Sequence, residues 1–281
     1  MKKFIVAIDG LKYSPAATDY AVHLAKQAYA HLVGVFLDDF TYHSYKIYEL
    51  VSEEDEGIEQ RRMELENRDE ALRSRAVTYF EKACQQAGLN YTIHHDRNIA
   101  LRELLHESIY ADLLIIDSKE TLTHYEEDAP THFIRDLLSN AQCPVLLVPG
   151  KYVAPDKVVM LYDGTPNAVF AVRMFSYTLG LLNDLETEVV TVKVKNTDLH
   201  VPDNRLMKEF MKRHHPRATY TVLKGDAQQE IIKHLATANG HPLVVLGAYS
   251  RGMVSRWFRQ SLADTLMKEL HFPLFIAHNK A

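Results

Sequence analysis

The sequence predicts an α/β protein of two tandem, doubly wound domains, each a five-stranded parallel sheet flanked by helices. Three observations predict it. The chain repeats itself: KFIVAIDG at 3–10 returns as KVVMLYDG at 157–164, LLIID at 113–117 as LVVLG at 243–247, and CPVLLV at 143–148 as FPLFIA at 272–277. Short, continuous apolar runs rich in β-branched residues alternate with helical periodicity, the pattern of parallel strands buried on both faces and joined by crossover helices. The length, 281 residues, accommodates two domains of ordinary size. A repeat near half the chain length indicates duplicated domains rather than a solenoid.

The elements follow in order. Residues 4–8 are the first strand. Ser14-Pro15 supplies an N-cap and a first-turn proline, and Ala17, Tyr20, Ala21, Leu24 and Ala28 follow at helical spacing. Strands are expected at 31–37, 91–95, 113–116 and 144–148, with helices at 101–109 and 131–140. The order βαβ…βαβαβ implies right-handed crossovers. The second copy repeats it, with strands at 158–162, 188–194, 219–224, 243–246 and 274–277 and helices at 167–182, 204–214, 227–239 and 261–270. Residues 150–156, with Pro149 before them and Pro155 within, read as a linker, so the domains span 1–149 and 157–281.

The copies differ in one length. Asp9 maps to Asp163, an offset of 154, but Asp117 maps to Gly247, an offset of 130. The first copy therefore carries about two dozen extra residues within 38–75. The stretch is aromatic first (Phe40, Tyr42, Tyr45, Tyr48) and then densely charged. A charge run is commonly a solvated helix extension with i,i+4 pairs such as Glu64/Arg68. The alternative is a lid or partner-docking flap.

Composition excludes several classes. A content of 47% hydrophobic and 25% charged residues is that of a globular protein. A net charge of −5, without a basic stripe interleaved with aromatics, argues against nucleic acid. No apolar run is long enough to span a bilayer. The N-terminus reaches Asp9 too early for a signal peptide. The two cysteines, Cys84 and Cys143, read as reduced thiols, which places the protein in the cytoplasm. Fifteen histidines include the pairs His94/His95 and His214/His215. Strand neighbours point to opposite faces, so the first pair cannot share a metal. The second pair ends a helix, where a cation suits the dipole. No metal-ligand framework appears. There is no nucleophile elbow, no Walker A loop and no GxGxxG, so no catalytic residue is assigned.

In a doubly wound sheet, ligands sit at the carboxyl ends of the strands, at the switch in strand order. Two loops per copy point there: Asp9-Gly10 or Asp163-Gly164 after strand one, and the loop after strand four. In the second copy that loop runs Gly247, Ser250, Arg251, Arg256, Trp257, Gln260, Ser261. With the Asp-Gly turn and the closing X-Pro-apolar strand, it resembles the universal stress proteins over nearly the whole chain. ATP-binding members of that family carry Gly-x2-Gly-x9-Gly-Ser/Thr after strand four, and an Asp ending strand one contacts the adenosine. The spacing matches. Gly247 and Ser261 agree with the motif, whereas Ser250 and Gln260 stand where it has glycine. The chemistry is anion binding by backbone N–H groups and a helix N-terminus.

The resemblance implies an adenine nucleotide alpha hydrolase-like, Rossmann-like fold and a role in the stress response. It implies ATP, with Mg, or another phosphorylated ligand in the second copy only, against Asp163, Gly164, Val192, Gly247, Ser250, Arg251, Gln260 and Ser261. In the first copy every glycine of the motif is replaced, by Asp117, Glu120 and Pro130, and only Thr131 survives. The first loop sums to −4 and the second to +3. A loop of −4 repels a triphosphate. The family resemblance also implies that residues 145–148 and 274–277 pair or pack across a pseudo-twofold, making an internal pseudo-dimer and covering two apolar edges. Three functions stay open: a binder of a nucleotide or phosphorylated ligand, a scaffold acting through protein partners, and a slow ATPase. A further homodimer of the whole chain is not decided by sequence.

Overall fold

The computed structural model describes residues 1–37, 58–96, 99–123, 125–193, 199–249 and 260–279. The first half runs β1 (Lys3–Ile8), α1 (Pro15–Ala28), β2 (His31–Leu37), α2 (Ile58–Ala87), β3 (Tyr91–Asp96), α3 (Ala100–Ser108), β4 (Leu113–Asp117), α4 (His132–Asn140) and β5 (Val145–Val148). The second runs β6 (Lys157–Leu161), α5 (Pro166–Thr178), a 3-10 turn (Gly180–Asp184), β7 (Glu186–Lys193), α6 (Asn204–His214), β8 (Thr219–Lys224), α7 (Ala227–Ala236), β9 (Pro242–Leu246), α8 (Gln260–Glu269) and β10 (Leu274–Ile276).

All ten strands form one sheet, in the order β3-β2-β1-β4-β5-β10-β9-β6-β7-β8. The order is palindromic about its centre. Within each half every pair is parallel. The two halves meet where β5 and β10 pair antiparallel, Leu274 opposite Leu147, Phe275 opposite Leu146 and Ile276 opposite Val145. The chain is thus an internal pseudo-dimer, and its central strands close each other's edges. The antiparallel junction sets the carboxyl ends of one half's strands beside the amino ends of the other's.

The central strands read as unbroken apolar runs because both faces are covered. Phe4, Val6 and Ile8 lie in a core with Tyr20, Leu24 and Phe80, and this core continues into the second half through Met160, Phe175 and Phe275. On the opposite face Ile5 and Ala7 pack with Leu104 and Leu137, and Val159, Leu246 and Leu266 extend that layer.

Two expectations change and one is sharpened. The sequence reading sets Cys84 on a helix, and that helix is α2, which continues to Ala87 with Ala76, Phe80 and Cys84 buried at i, i+4, i+8. The charged part of the insertion, from residue 58, is the exposed opening of this helix, and Glu64 meets Arg61 at 3.4 Å rather than Arg68. The aromatic part of 38–75 lies outside the described residues. The helix expected over 167–182 ends at Thr178, where Leu179 passes the chain into the 3-10 turn.

The His214/His215 reading needs a correction. His215 is 2% exposed, with Nε2 3.0 Å from Ser176 Oγ and Nδ1 3.4 Å from Thr187 Oγ1. Burial, and then the neighbouring His214, push its pKa down to about 4. Desolvation outweighs the helix dipole here, and the ring is neutral. No helix among the described residues is long and apolar enough to cross a membrane.

Candidate functional site

The carboxyl ends of β6, β7 and β9 bring together Asp163, Val192 and Gly247 in the second half. Asp163 follows β6 and is 3% exposed. Its Oδ1 accepts from Thr165 N (2.9 Å) and Thr165 Oγ1 (2.6 Å). Thr165 in turn caps α5 by accepting from Ala168 N, and Pro166 opens the helix. Gly164 has φ +84°, and a Cβ there would stand 2.8 Å from Pro202 Cβ. Only glycine serves this turn without strain. Val192 packs into the core layer with Leu246, Ala248 and Leu262.

Gly247 has a role that the sequence does not announce. A Cβ on it would lie 2.5 Å from Asn167 O and 2.9 Å from Ala168 N. The residue is glycine because β9 runs into the first turn of α5, backbone against backbone. Tyr249 follows at φ +64°, and its hydroxyl donates to Asp264 Oδ1 at 2.6 Å. Burial and the Asp264 carboxylate push the Tyr249 phenol well up. Asp264 Oδ2 is 3.5 Å from Arg135 Nη2, so a first-half side chain reaches the second-half site. Sequence reasoning missed this link, since nothing local pairs a residue of α4 with one of α8. Ser250 and Arg251 lie outside the described residues, as do Arg256, Trp257 and Arg259. Gln260 and Ser261 open α8.

The first-half corner is built differently. Asp9, 3% exposed, accepts from Leu11 N (2.7 Å) and Lys12 N (3.1 Å). Arg73 of α2 lies over the turn, its Cγ 3.0 Å from where a Gly10 Cβ would sit. Ser14 precedes α1 but does not cap it with its side chain. Its hydroxyl donates to Asp117 Oδ2 at 2.7 Å, and Asp117 Oδ1 accepts from Lys119 N. Glu120 is 9% exposed. Its Oε1 accepts from Thr121 N and Leu122 N, both at 2.9 Å, and its carbonyl accepts from Thr131 Oγ1. Thr131 also caps α4 through Ile134 N. Lys12 Nζ donates to Thr121 Oγ1 and the Thr123 carbonyl, tying the loop after β1 to the loop after β4.

Three carboxylates, Asp9, Asp117 and Glu120, therefore crowd this corner, where the second copy has Asp163, Gly247 and Ser250 at the matching positions. Burial, then the charge of Asp9, and further the charge of Asp117 push Glu120 up to about 7, against two stabilising backbone N–H groups. A cleft of about 1440 Å³ opens at this corner. It is bounded by the first-half loop on one side and by Met267, Leu270, Phe272 and Leu274 of the second half on the other.

Residues 1–149 match the model of the Universal stress protein family. Among solved structures, the chain is similar to a universal stress protein from Archaeoglobus fulgidus DSM 4304, with 12% identity, a TM-score of 0.70 and 98% of each chain covered. It is also similar to the cytoplasmic domain of a prokaryotic cation chloride cotransporter, with 11% identity, a TM-score of 0.55, and 99% of this chain and 95% of that one covered. At such identities the likeness concerns the fold. A search of curated proteins gives no match.

Proposed function

This chain belongs to the universal stress protein family, and on that footing we propose that it is a stress-response protein whose halves, 1–149 and 157–281 joined by 150–156, have separate tasks. The second half takes a phosphorylated small ligand, with ATP accompanied by Mg as the form to test first. The ligand lies over the carboxyl ends of β6 and β9, against Asp163, Gly164 and Val192, and meets the loop that begins at Gly247 and includes Ser250, Arg251, Gln260 and Ser261. The observation that carries this reading is the charge contrast between corresponding loops, +3 in the second half and −4 in the first. Backbone N–H groups at the start of α8 add a partial positive charge on the same side. The first half does not take a nucleotide, because Asp117 and Glu120 occupy its corner. Cys84 and Cys143, read as reduced thiols, suit a cytoplasmic setting.

A second reading, a scaffold without ATP, is favoured by one observation. Pro202 closes on Gly164, and the first turn of α5 closes on Gly247, so chain fills part of the corner. Calorimetry with ATP, with and without Mg, on the wild type and on Arg251→Ala separates the two. Binding that Arg251→Ala weakens is the expected result. Silence from the wild type selects the scaffold. Undiminished binding by Arg251→Ala moves the site elsewhere.

A further inference from the structure

We propose that residues 199–203 are a latch, which covers the second-half ligand site in the free chain and must lift before a ligand settles there. The inference rests on the ligand reading given above and adds the regulation of that site. A ligand against Gly164 and the closed segment exclude each other. The Pro202 ring lies over Gly164, its Cβ 2.8 Å and its Cγ 3.3 Å from where a Gly164 Cβ would stand. Non-bonded carbons need about 3.5–4.0 Å. No ligand atom therefore fits on that face of Gly164 while Pro202 is in place.

The segment is weakly anchored and closes at a cost. Leu199, His200 and Asp203 are exposed, and Val201 alone is buried, in the core that holds Tyr162, Met207 and Met211. Asp203 has φ +44°, a left-handed conformation unfavourable to a residue with a Cβ. It precedes α6 without capping it, whereas Thr165 caps α5 and Asp226 caps α7. Two buried oxygens have no hydrogen-bond partner among the described residues: Asn204 Oδ1 at the start of α6 and Thr191 Oγ1 on β7. Thr191 alternates with Val190 and Val192 of the opposite layer, so it faces the same layer as Val201. Such oxygens cost free energy while they stay dry, and opening lets water reach them. Burial, and then the charges of Asp203 and Asp163, push the Tyr162 phenol up to about 12. Two carboxylates thus act on one ring, and lifting the segment carries Asp203 away from the place of an anionic ligand. A segment with one buried anchor, beside strands buried on both faces, opens locally without unfolding the half.

The test pairs calorimetry with ATP and Mg with limited trypsin cleavage at Arg205, on the full chain, for the wild type, Val201→Ala and Leu199→Ala. Arg205 lies in the first turn of α6, two residues past Asp203, and is cut from the open segment. Val201→Ala weakens the buried anchor. It should speed cleavage at Arg205 about tenfold relative to Arg173 of α5 and tighten ATP about tenfold, since affinity follows the open fraction. Leu199→Ala, at an exposed neighbour, should change neither. ATP with Mg should also speed Arg205 cleavage in the wild type, which decides alone should Val201→Ala not fold. ATP bound by the wild type but no more tightly by a folded Val201→Ala overturns the latch, as does protection of the wild-type Arg205 by ATP. Should neither the wild type nor Val201→Ala bind ATP, the nucleotide reading fails and cleavage judges the latch: faster cutting at Arg205 alone upholds it, and equal speeding at Arg205 and Arg173 overturns it.

Discussion

The two Asp-Gly corners share a sequence and a topology, yet they differ in where the next helix starts. In the second half α5 begins two residues after Gly164. In the first half α1 begins five residues after Gly10. Those three residues decide what the strand-four position must be. An early helix drives its first turn against β9, and only Gly247 fits beneath Asn167. A late helix leaves space, and Asp117 fills it, receiving the Ser14 hydroxyl that would otherwise cap the helix. A glycine shared with a nucleotide motif therefore has a packing reason as well as any ligand reason. Its loss in the first half reflects both charge and a changed helix start.

The largest expected effect tests that difference directly. Gly247→Ala should destabilise the chain by about 4 kcal/mol, because a Cβ 2.5 Å from a backbone oxygen meets nothing that can rotate away. Asp117→Gly, the reverse change at the matching place, should cost only about 1–2 kcal/mol, mainly the Ser14 hydrogen bond. Urea unfolding of both variants checks this. Similar costs would mean that the helix start is not what separates the corners.

Much of this fold was legible in the sequence because its strands are buried on both faces. Residues 31–37 are such a strand and have the bounds that the sequence pattern gives; the helix 204–214 and the partly exposed edge strand 219–224 also have the expected bounds, from periodicity rather than burial. That β5 and β10 meet follows only from the family resemblance, and their antiparallel pairing only from the structure, since two short apolar strands do not declare their partner. The candidate site was less legible. Asp163 and Gly247 can be picked out as motif positions, but Thr165, Pro202 and Asn167, which shape their surroundings, carry no motif. Arg73 over Gly10 and Arg135 at Asp264 are contacts across long sequence separations, and local patterning does not report such contacts.

The halves also respond to pH in opposite directions. The Glu120 pKa is raised from 4.5 to about 7, so the folded chain holds that proton more tightly than the unfolded chain does. Its penalty is absent below pH 4.5, grows as pH rises, and is complete above about 7. Glu120→Gln keeps an acceptor for the two N–H groups and removes the charge. It should stabilise the chain at pH 8 by about 3 kcal/mol and by nothing near pH 4.5. The His215 pKa is lowered from 6.5 to about 4, so its penalty appears on acidification. Stability tied to the neutral ring is intact above 6.5 and falls by about 3 kcal/mol as pH drops through about 4. Urea midpoints at pH 4, 6 and 8, for the wild type, Glu120→Gln and His215→Gln, should show each variant flattening its own limb. One variant flattening both limbs would mean that the two groups do not titrate as separate halves.

The smallest effect bears on whether the corners are independent. Arg135 and Asp264 meet at 3.5 Å across the halves, and Asp264 also holds Tyr249, the last described residue before the arginine-bearing loop. Arg135 is partly exposed, so the ion pair alone is worth at most about 1 kcal/mol. Its position matters more than its strength. Without Arg135, Asp264 keeps only the Tyr249 hydroxyl among these two partners, and the two can shift together. A double-mutant cycle of Arg135→Ala and Asp264→Asn, read by urea unfolding, should give a coupling of about 0.5–1 kcal/mol. The same cycle read by ATP affinity should give a coupling of similar size if the first half positions the second-half loop. A stability coupling with no affinity coupling would leave the link as a clasp between halves, and the two corners would then work independently.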